Sequence, residues 1–232
     1  WEIPPELHNP GEVIHTVGWP LKTDTYGGSF LYHLEDNQVA VGFVVGLDYQ
    51  NPHLDPYMEF QRFKQHPSIR KTFESGTRLA YGARALNEGG FQSIPNLTFP
   101  GGALVGCSAG FMNVPKIKGS HTAMKSGILA AEAVASHLLT EDISLKATEI
   151  KAYESSLKYS WIWEELRKVR NIRAAFRWGL WPALLYGAFD TYILRGKAPW
   201  TLRHKPDHIQ LKLSTECQPI AYPKPDGVIS FD

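Results

Sequence analysis

The chain has 232 residues, 43% hydrophobic and 20% charged, with a formal net charge of +1, a globular composition with enough apolar material for a sizeable core. That near-neutral balance argues against nucleic acid as the main partner, which calls for a clear excess of Lys and Arg. Its two cysteines, Cys107 and Cys217, are far apart and lack C-x-x-C spacing, so they alone can build neither a zinc site nor an iron–sulfur cluster, a disulfide framework is not expected, and a reducing compartment is the natural setting.

The chain begins Trp1-Glu2-Ile3 without Met or a signal peptide and stops at Ser230-Phe231-Asp232; both ends read as interior to a longer chain. Residues 12–47 read as β structure. Val13, His15 and Val17 alternate with polar or small residues, and Ser29 to Leu34 and Val39 to Leu47 flank the turn residues Glu35-Asp36-Asn37-Gln38, which predicts a hairpin. Val39 to Val45 is apolar enough for a central strand. Asp55-Pro56 opens a helix, with Asp as N-cap and Pro in the first turn, and Pro67 is expected to end it. Thr77 to Leu86 reads as a strand, Asn87 to Gly102 as a Gly- and Pro-punctuated loop, and Ala103 to Gly106 as a short buried strand. Ser120 to Leu139 is a predicted helix with a small face (Ala123, Gly127, Ala130, Ala131), and Ala147 to Asn171 a charged amphipathic one. Residues 174–194 are the most apolar run, and the sequence after Lys197 is Pro-rich and irregular.

Leu104 to Pro115, followed by Lys118 to Met124, has the logic of strand, tight loop and helix N-terminus. Gly106 and Gly110 let backbone approach a ligand closely, and the free N–H groups and positive dipole end of the helix starting at Gly119-Ser120 can face an electron-rich group. On spacing alone this is equally an ordinary β–loop–α unit. Likewise, Tyr26-Gly27-Gly28 on its own reads as a turn or bulge ahead of a strand. His15, His33 and His121 could each give protons to a reduced ligand, but isolated histidines are usually structural, so no catalytic side chain is assigned.

Four phrases in order, Tyr26 to His33, Gly46 to Pro52, Tyr81 to Ser93 and Phe111 to Gly119, resemble the electron transfer flavoprotein–ubiquinone oxidoreductase family over residues 11 to 232. The Gly106 region resembles the second flavin motif of glutathione-reductase-type flavoproteins, with Cys107 standing where that motif has Asp and so removing a carboxylate acceptor for a ribityl hydroxyl. The resemblance implies an α+β fold, in which part of a glutathione-reductase-type FAD domain is interleaved with a ubiquinone-binding domain of mixed sheet plus helices. The expected division is 1–95 for ubiquinone-domain strands and helix, 96–140 for the C-terminal segment of the FAD domain, and 141–232 for a helical, membrane-associated part leading to an iron–sulfur domain.

The family's activity is transfer of electrons from reduced electron transfer flavoprotein, through FAD and a 4Fe-4S cluster, to ubiquinone. The G-x-G-x-x-G pyrophosphate loop and the four cluster cysteines are absent from this sequence, so the chain alone is expected to be incomplete and inactive. The resemblance implies a quinone carbonyl at the backbone of Gly27 and Gly28, and cofactor contacts at Asn87, Gly106, Cys107, Ser108, Gly110, Asn113, Gly119 and Thr122. The rival readings are a geranylgeranyl-reductase-like flavoprotein acting on prenyl lipids and a non-catalytic peripheral membrane module.

The apolar run from Trp178 is too short to span a bilayer and is interrupted by Asp190. Basic flanks, Arg167, Lys168, Arg170, Arg173 and Arg177 before it and Arg195, Lys197, Arg203 and Lys205 after it, suit a helix lying in the headgroup region or a core helix with basic ends. The resemblance favours the former, with Trp178, Trp181, Leu185, Phe189 and Ile193 as membrane contacts, on the matrix face of a mitochondrial inner membrane or the cytoplasmic face of a bacterial one.

Overall fold

The computed structural model describes residues 1–140 and 147–232, so the domain boundary expected at 141 lies outside the described residues. Helices and small sheets mix in an α+β architecture. By its internal contacts the chain divides into two units, Trp1–Ala83 with Lys205–Asp232, and Arg84–His204.

The first unit holds an antiparallel sheet of β1 (Val13–Thr16), β2 (Gly27–His33) and β3 (Val39–Val45), in that order. The predicted hairpin is β2–β3. Asp36 and Asn37 both have positive φ, 53° and 57°, and Gln38 N–H donates to the Glu35 carbonyl at 3.0 Å, a geometry that matches strand twist and that Asp and Asn tolerate. The central strand is β2, not the more apolar β3. The inner side chains of β3 pack toward the first helix, with Phe43 stacked 5.3 Å from Phe63, and its first residues are flanked by Trp1 to Ile3 through a Glu2–Gln38 bridge. Apolar cover therefore comes from a helix and the chain start rather than from strands on both sides.

Register divides the sheet into two faces. Ser29, Leu31 and His33 are buried on the inner face. The outer face carries Val13 and His15 from β1, Gly28, Phe30 and Tyr32 from β2, and Ala40, Gly42 and Val44 from β3. A Cβ on Gly28 would lie 2.4 Å from the Thr16 carbonyl oxygen, and one on Gly42 would lie 2.2 Å from the Phe30 ring. The ring thus covers a glycine backbone, and β1 approaches β2 as closely as a glycine allows.

Asp55 caps α1 (Pro56–Lys64) by accepting from the Tyr57 and Met58 N–H groups at 2.9 and 3.2 Å. The helix α1 stops at Lys64, ahead of Pro67 as expected, and Pro67 is itself the first residue of a second helix, α2 (Pro67–Phe73), capped by His66, because the absent N–H of Pro costs nothing in a first turn. The strand expected over Thr77 to Leu86 reduces to one bridge, Thr77 with Glu2; the rest is extended and exposed, and its alternation finds no ladder among the described residues. The core of this unit is Ile3, Leu31, Val39, Phe63, Ile69, Phe73 and Ile229.

In the second unit, β4 (Thr98–Phe99) and β5 (Gly102–Ala103) form a minimal hairpin inside the predicted loop. The buried strand expected at Ala103 to Gly106 is absent: only Gly102–Ala103 pairs, and Ala103 and Val105 are exposed. The helix α3 (Ser120–Thr140) forms as expected. It buries Thr122, Ser126, Leu129 and Ala133, while Met124, Ile128 and Leu138 are exposed. Of its small face, Ala123 and Ala130 are half-buried and Ala131 is exposed. The long amphipathic helix expected over 147–171 is three shorter ones, α4 (Lys151–Lys158), α5 (Trp161–Lys168) and α6 (Arg170–Ala175), broken where Ser160 turns extended at ψ 162°. Leu97, Phe111, Leu129, Tyr153, Leu157, Ile162 and Leu166 form its core.

The irregular C-terminal stretch is tied to α1 by a buried ammonium. Lys64 is 3% exposed, donates to the Ile229 carbonyl, and sits 5.1, 5.2 and 5.6 Å from the Phe60, Phe231 and Trp1 ring centroids. Burial, helped by the Arg78 charge, lowers its pKa from the ordinary 10.5 to about 8.

Two predictions follow from this packing. Gly28→Ala should lower the thermal transition, at a cost on the order of 1–3 kcal/mol. Gly127→Ala, whose Cβ meets nothing within 4 Å, should leave the transition unchanged or raise it; an unaltered transition for Gly28→Ala would mean that the strands have slack. Separately, the unfolded chain binds more protons than the folded one wherever the Lys64 pKa is depressed, so urea-measured stability should rise between about pH 8 and 10. Above that the trend reverses, because the Tyr153 and Tyr222 phenols, pushed up to about 12 by burial, keep protons that the unfolded chain releases. Lys64→Met should flatten the rising limb, and a slope indifferent to that substitution would assign it to another group.

Candidate functional site

Gly27 and Gly28 open the central strand opposite Val45 and Val44. Gly27 has φ 159°, and a Cβ there would lie 2.3 Å from the Val44 carbonyl oxygen. The pair therefore has a reason within the sheet: both glycines are held by strand packing, at the end of an outer face that is half-exposed and mostly apolar. Along that face Phe30 and Tyr32 lie 5.0 Å apart, and His15 Nε2 is 2.8 Å from the Tyr32 hydroxyl. His33 lies on the opposite face, buried, its Nδ1 accepting from Asn9 N–H at 3.0 Å; burial lowers its pKa.

The eight predicted cofactor residues belong to the second unit and divide into two groups. Gly106–Ala109 is a single 3₁₀ turn closed by Gly110. Positive φ at Gly106 (58°) and Gly110 (78°) needs glycine, and nothing lies within 4 Å of where a Gly110 Cβ would be. Cys107 and Ser108 are exposed on this turn, and Asn87 joins it by donating to the Cys107 carbonyl at 2.9 Å. Asn113 and Thr122 are instead fully buried. The Thr122 hydroxyl faces the Phe111 and Gly119 carbonyls at 2.5 and 2.9 Å. Asn113 donates to Glu165 at 2.7 Å and accepts from Lys116 N–H at 3.3 Å. Their side chains shape the loop from beneath, while Gly119, half-buried, leads into α3.

Sequence reasoning missed Glu165. One of its carboxylate oxygens accepts from Asn113 at 2.7 Å, from His121 at 2.9 Å and from Lys116 at 3.3 Å, and His121 stacks on Trp161 with rings 6° from parallel. Burial alone would raise the Glu165 pKa, but the hydrogen bonds from His121, Asn113 and Lys116 outweigh it and hold the carboxyl below its ordinary value. This hub fastens the 111–119 loop to α5. His121, a candidate proton donor in the sequence, is committed to it.

The apolar run is not one helix over 174–194. Gly179, at φ 89°, separates α6 and the turn Phe176–Trp178 from α7 (Leu180–Ala188), and Phe189–Ile193 continues as a wider turn. Trp178, Trp181, Leu185, Phe189 and Ile193 are all exposed, joined by Leu184 and Tyr192. Asp190 is 1% exposed; its Oδ1 has no partner among the described residues, and burial raises its pKa against the pull of Arg170. The carboxyl that interrupts the run therefore faces protein. Arg170 does not belong to the basic surface flank: it is buried, and its guanidinium meets the Arg167, Gly196, Ala198 and Trp200 carbonyls and the Thr201 hydroxyl at 2.6 to 3.2 Å. No helix among the described residues is long and apolar enough to cross a membrane.

Known proteins resemble the chain along its whole length. Residues 1–86 match the family described as ETF-QO, ubiquinone-binding. The mitochondrial electron transfer flavoprotein-ubiquinone oxidoreductases of Rattus norvegicus, Homo sapiens and Oryza sativa subsp. japonica are 61%, 60% and 58% identical to it. Each alignment takes in 100% of this chain and 39%, 39% and 40% of the relative, so the chain spans about two fifths of the length of the relatives it matches. Over that stretch, the chain belongs to the electron transfer flavoprotein–ubiquinone oxidoreductase family.

Proposed function

We propose that the chain carries the quinone-binding region and the second flavin segment of an enzyme that passes electrons from reduced electron transfer flavoprotein, through FAD and an iron–sulfur cluster, to ubiquinone at a membrane surface. The observation that carries this reading is that the ubiquinone-binding match, residues 1–86, takes in the whole three-stranded sheet, including Gly27, Gly28 and the aromatic outer face. The half-buried Phe30 and Tyr32 of that face give a flat ring apolar contact beside the Gly27-Gly28 strand start.

In this reading residues 1–95 and 141–232 serve the quinone and membrane, and residues 96–140 belong to a glutathione-reductase-type FAD domain. The turn of Gly106, Cys107, Ser108 and Gly110, joined by Asn87 and leading through Gly119 to the α3 N-terminus, presents the exposed Cys107 and Ser108 to a flavin edge between two buried glycines. Asn113 and Thr122 hold that turn in shape rather than touching the cofactor with their side chains. FAD, when bound, accepts and donates the electrons; the protein groups orient it. Two cysteines fall short of the four thiolates a 4Fe-4S cluster takes, so no step of the cluster is assigned to these residues. The setting proposed is the matrix face of the mitochondrial inner membrane, or the cytoplasmic face of a bacterial one, with the 178–193 face in contact with lipid.

A photoreactive ubiquinone analogue bound to the full-length enzyme should label residues within 13–45, on the outer sheet face. Labelling found only outside residues 1–86 would refute the assignment of the quinone to this sheet. For the membrane, vesicle flotation of the full-length enzyme should be largely lost when Trp181→Glu and Leu185→Glu are combined, and in the unsubstituted protein it should weaken with salt while keeping an apolar residual. Flotation that persists undiminished in the double variant would rule out this face as the anchor.

A further inference from the structure

We propose that Tyr32 and His15 are the proton-delivering pair for the bound quinone, a proposal that rests on the quinone assignment above. Reducing a quinone to a quinol adds two electrons and two protons, and the outer sheet face offers few proton sources. Its positions are Val13, His15, Gly28, Phe30, Tyr32, Ala40, Gly42 and Val44; His15 and Tyr32 alone among these carry exchangeable side-chain protons. They are already coupled, with His15 Nε2 and the Tyr32 hydroxyl 2.8 Å apart.

The register gives the pair its direction. Tyr32 stands opposite Val13, and His15 stands opposite Phe30. The hydrogen bond between His15 Nε2 and the Tyr32 hydroxyl is therefore diagonal, and it leans the hydroxyl toward the Gly28 end of the strand. Four residues of strand separate the Gly28 and Tyr32 Cα atoms by about 13 Å. A quinone ring spans part of that distance and the reach of a tyrosine side chain covers the rest. With the ring beside Phe30, between that glycine end and Tyr32, one quinone carbonyl points toward the Tyr32 hydroxyl.

The structure also separates the three candidate histidines. His33 is buried on the inner face and holds Asn9; His121 is bound to Glu165; His15 is exposed and can exchange protons with solvent. In the proposed step the Tyr32 O–H bond breaks as an O–H bond forms on the quinone oxygen, which has received its electrons from the reduced flavin. Tyr32 then takes a proton from His15 Nε2, and the His15 ring recovers one from water. The other quinone oxygen draws the second proton from solvent water.

The test uses the full-length holoenzyme and two acceptors: a short-tailed ubiquinone, which needs protons, and ferricyanide, which takes electrons without them. In Tyr32→Phe, kcat for quinone should fall by about tenfold or more, while KM for quinone, FAD content and ferricyanide turnover stay near those of the unsubstituted enzyme. His15→Gln should lower quinone turnover in the same sense, and the solvent deuterium isotope effect on quinone turnover should grow in both variants. Quinone turnover within about twofold of the unsubstituted enzyme in both variants would overturn the proposal. So would equal losses with both acceptors, since that pattern marks a role in the fold. An unsubstituted holoenzyme that reduces ferricyanide but not quinone would overturn the underlying assignment instead.

Discussion

Every buried backbone donor and acceptor must find a partner, and much of this chain lies outside helices and ladders. Side chains meet that requirement. Arg170 holds the carbonyls of Gly196, Ala198 and Trp200, while Asn171 takes the Leu202 N–H and Gln92 its carbonyl. In the other unit Asn51 donates to the Gln218 carbonyl, Lys64 to that of Ile229, Tyr57 to that of Asp232, and Gln61 accepts from the Phe231 N–H. The segment from 196 onward, with no strand and only brief helical turns, is thus ordered by polar anchors on the helices. Two of those anchors are buried cations, whose desolvation is offset by carbonyl dipoles and, for Lys64, by three aromatic faces.

This explains what could and could not be read from residues alone. Local chemistry was legible: the Asp36-Asn37 turn, the Asp55 cap and the span of α3 all follow from residues within a few positions of one another. Strand order was not, because the apolarity of β3 reflects cover from Phe63 and Trp1, both remote in sequence. Pro67 has the same first-turn chemistry as Pro56, yet reads as a stop when only the preceding helix is considered. The Thr77 to Leu86 alternation has the strand period without a partner beyond Glu2. Helix breaks at Ser160 and Gly179 interrupt patterns whose apolar period continues across them.

For the candidate site, the sequence pointed to residue types, and the structure adds their surroundings. Gly106 to Gly110 form a tight turn, and the five residues singled out in the apolar run are exposed together with Leu184 and Tyr192, although the run is broken at Gly179. Asn113 and Thr122 are buried, with side-chain hydrogen bonds to Glu165 and to the Phe111 and Gly119 carbonyls. Glu165 carried no sequence signal, since its partners lie 44 to 52 residues away. The difference between His15 and His33 came from register: both belong to the same sheet, but His15 stands opposite Phe30 on the outer face and His33 lies with Ser29 and Leu31 on the buried one.

Gly42 has a further consequence. Because the Phe30 ring lies over a residue with no side chain, it is confined from one side by backbone and flanked by Tyr32. The rotational freedom of that ring is surrendered on folding rather than on binding. A flat guest settling on it would immobilise little that is not already fixed, so the entropic penalty that usually accompanies ordering an aromatic contact falls on the folding reaction and not on association.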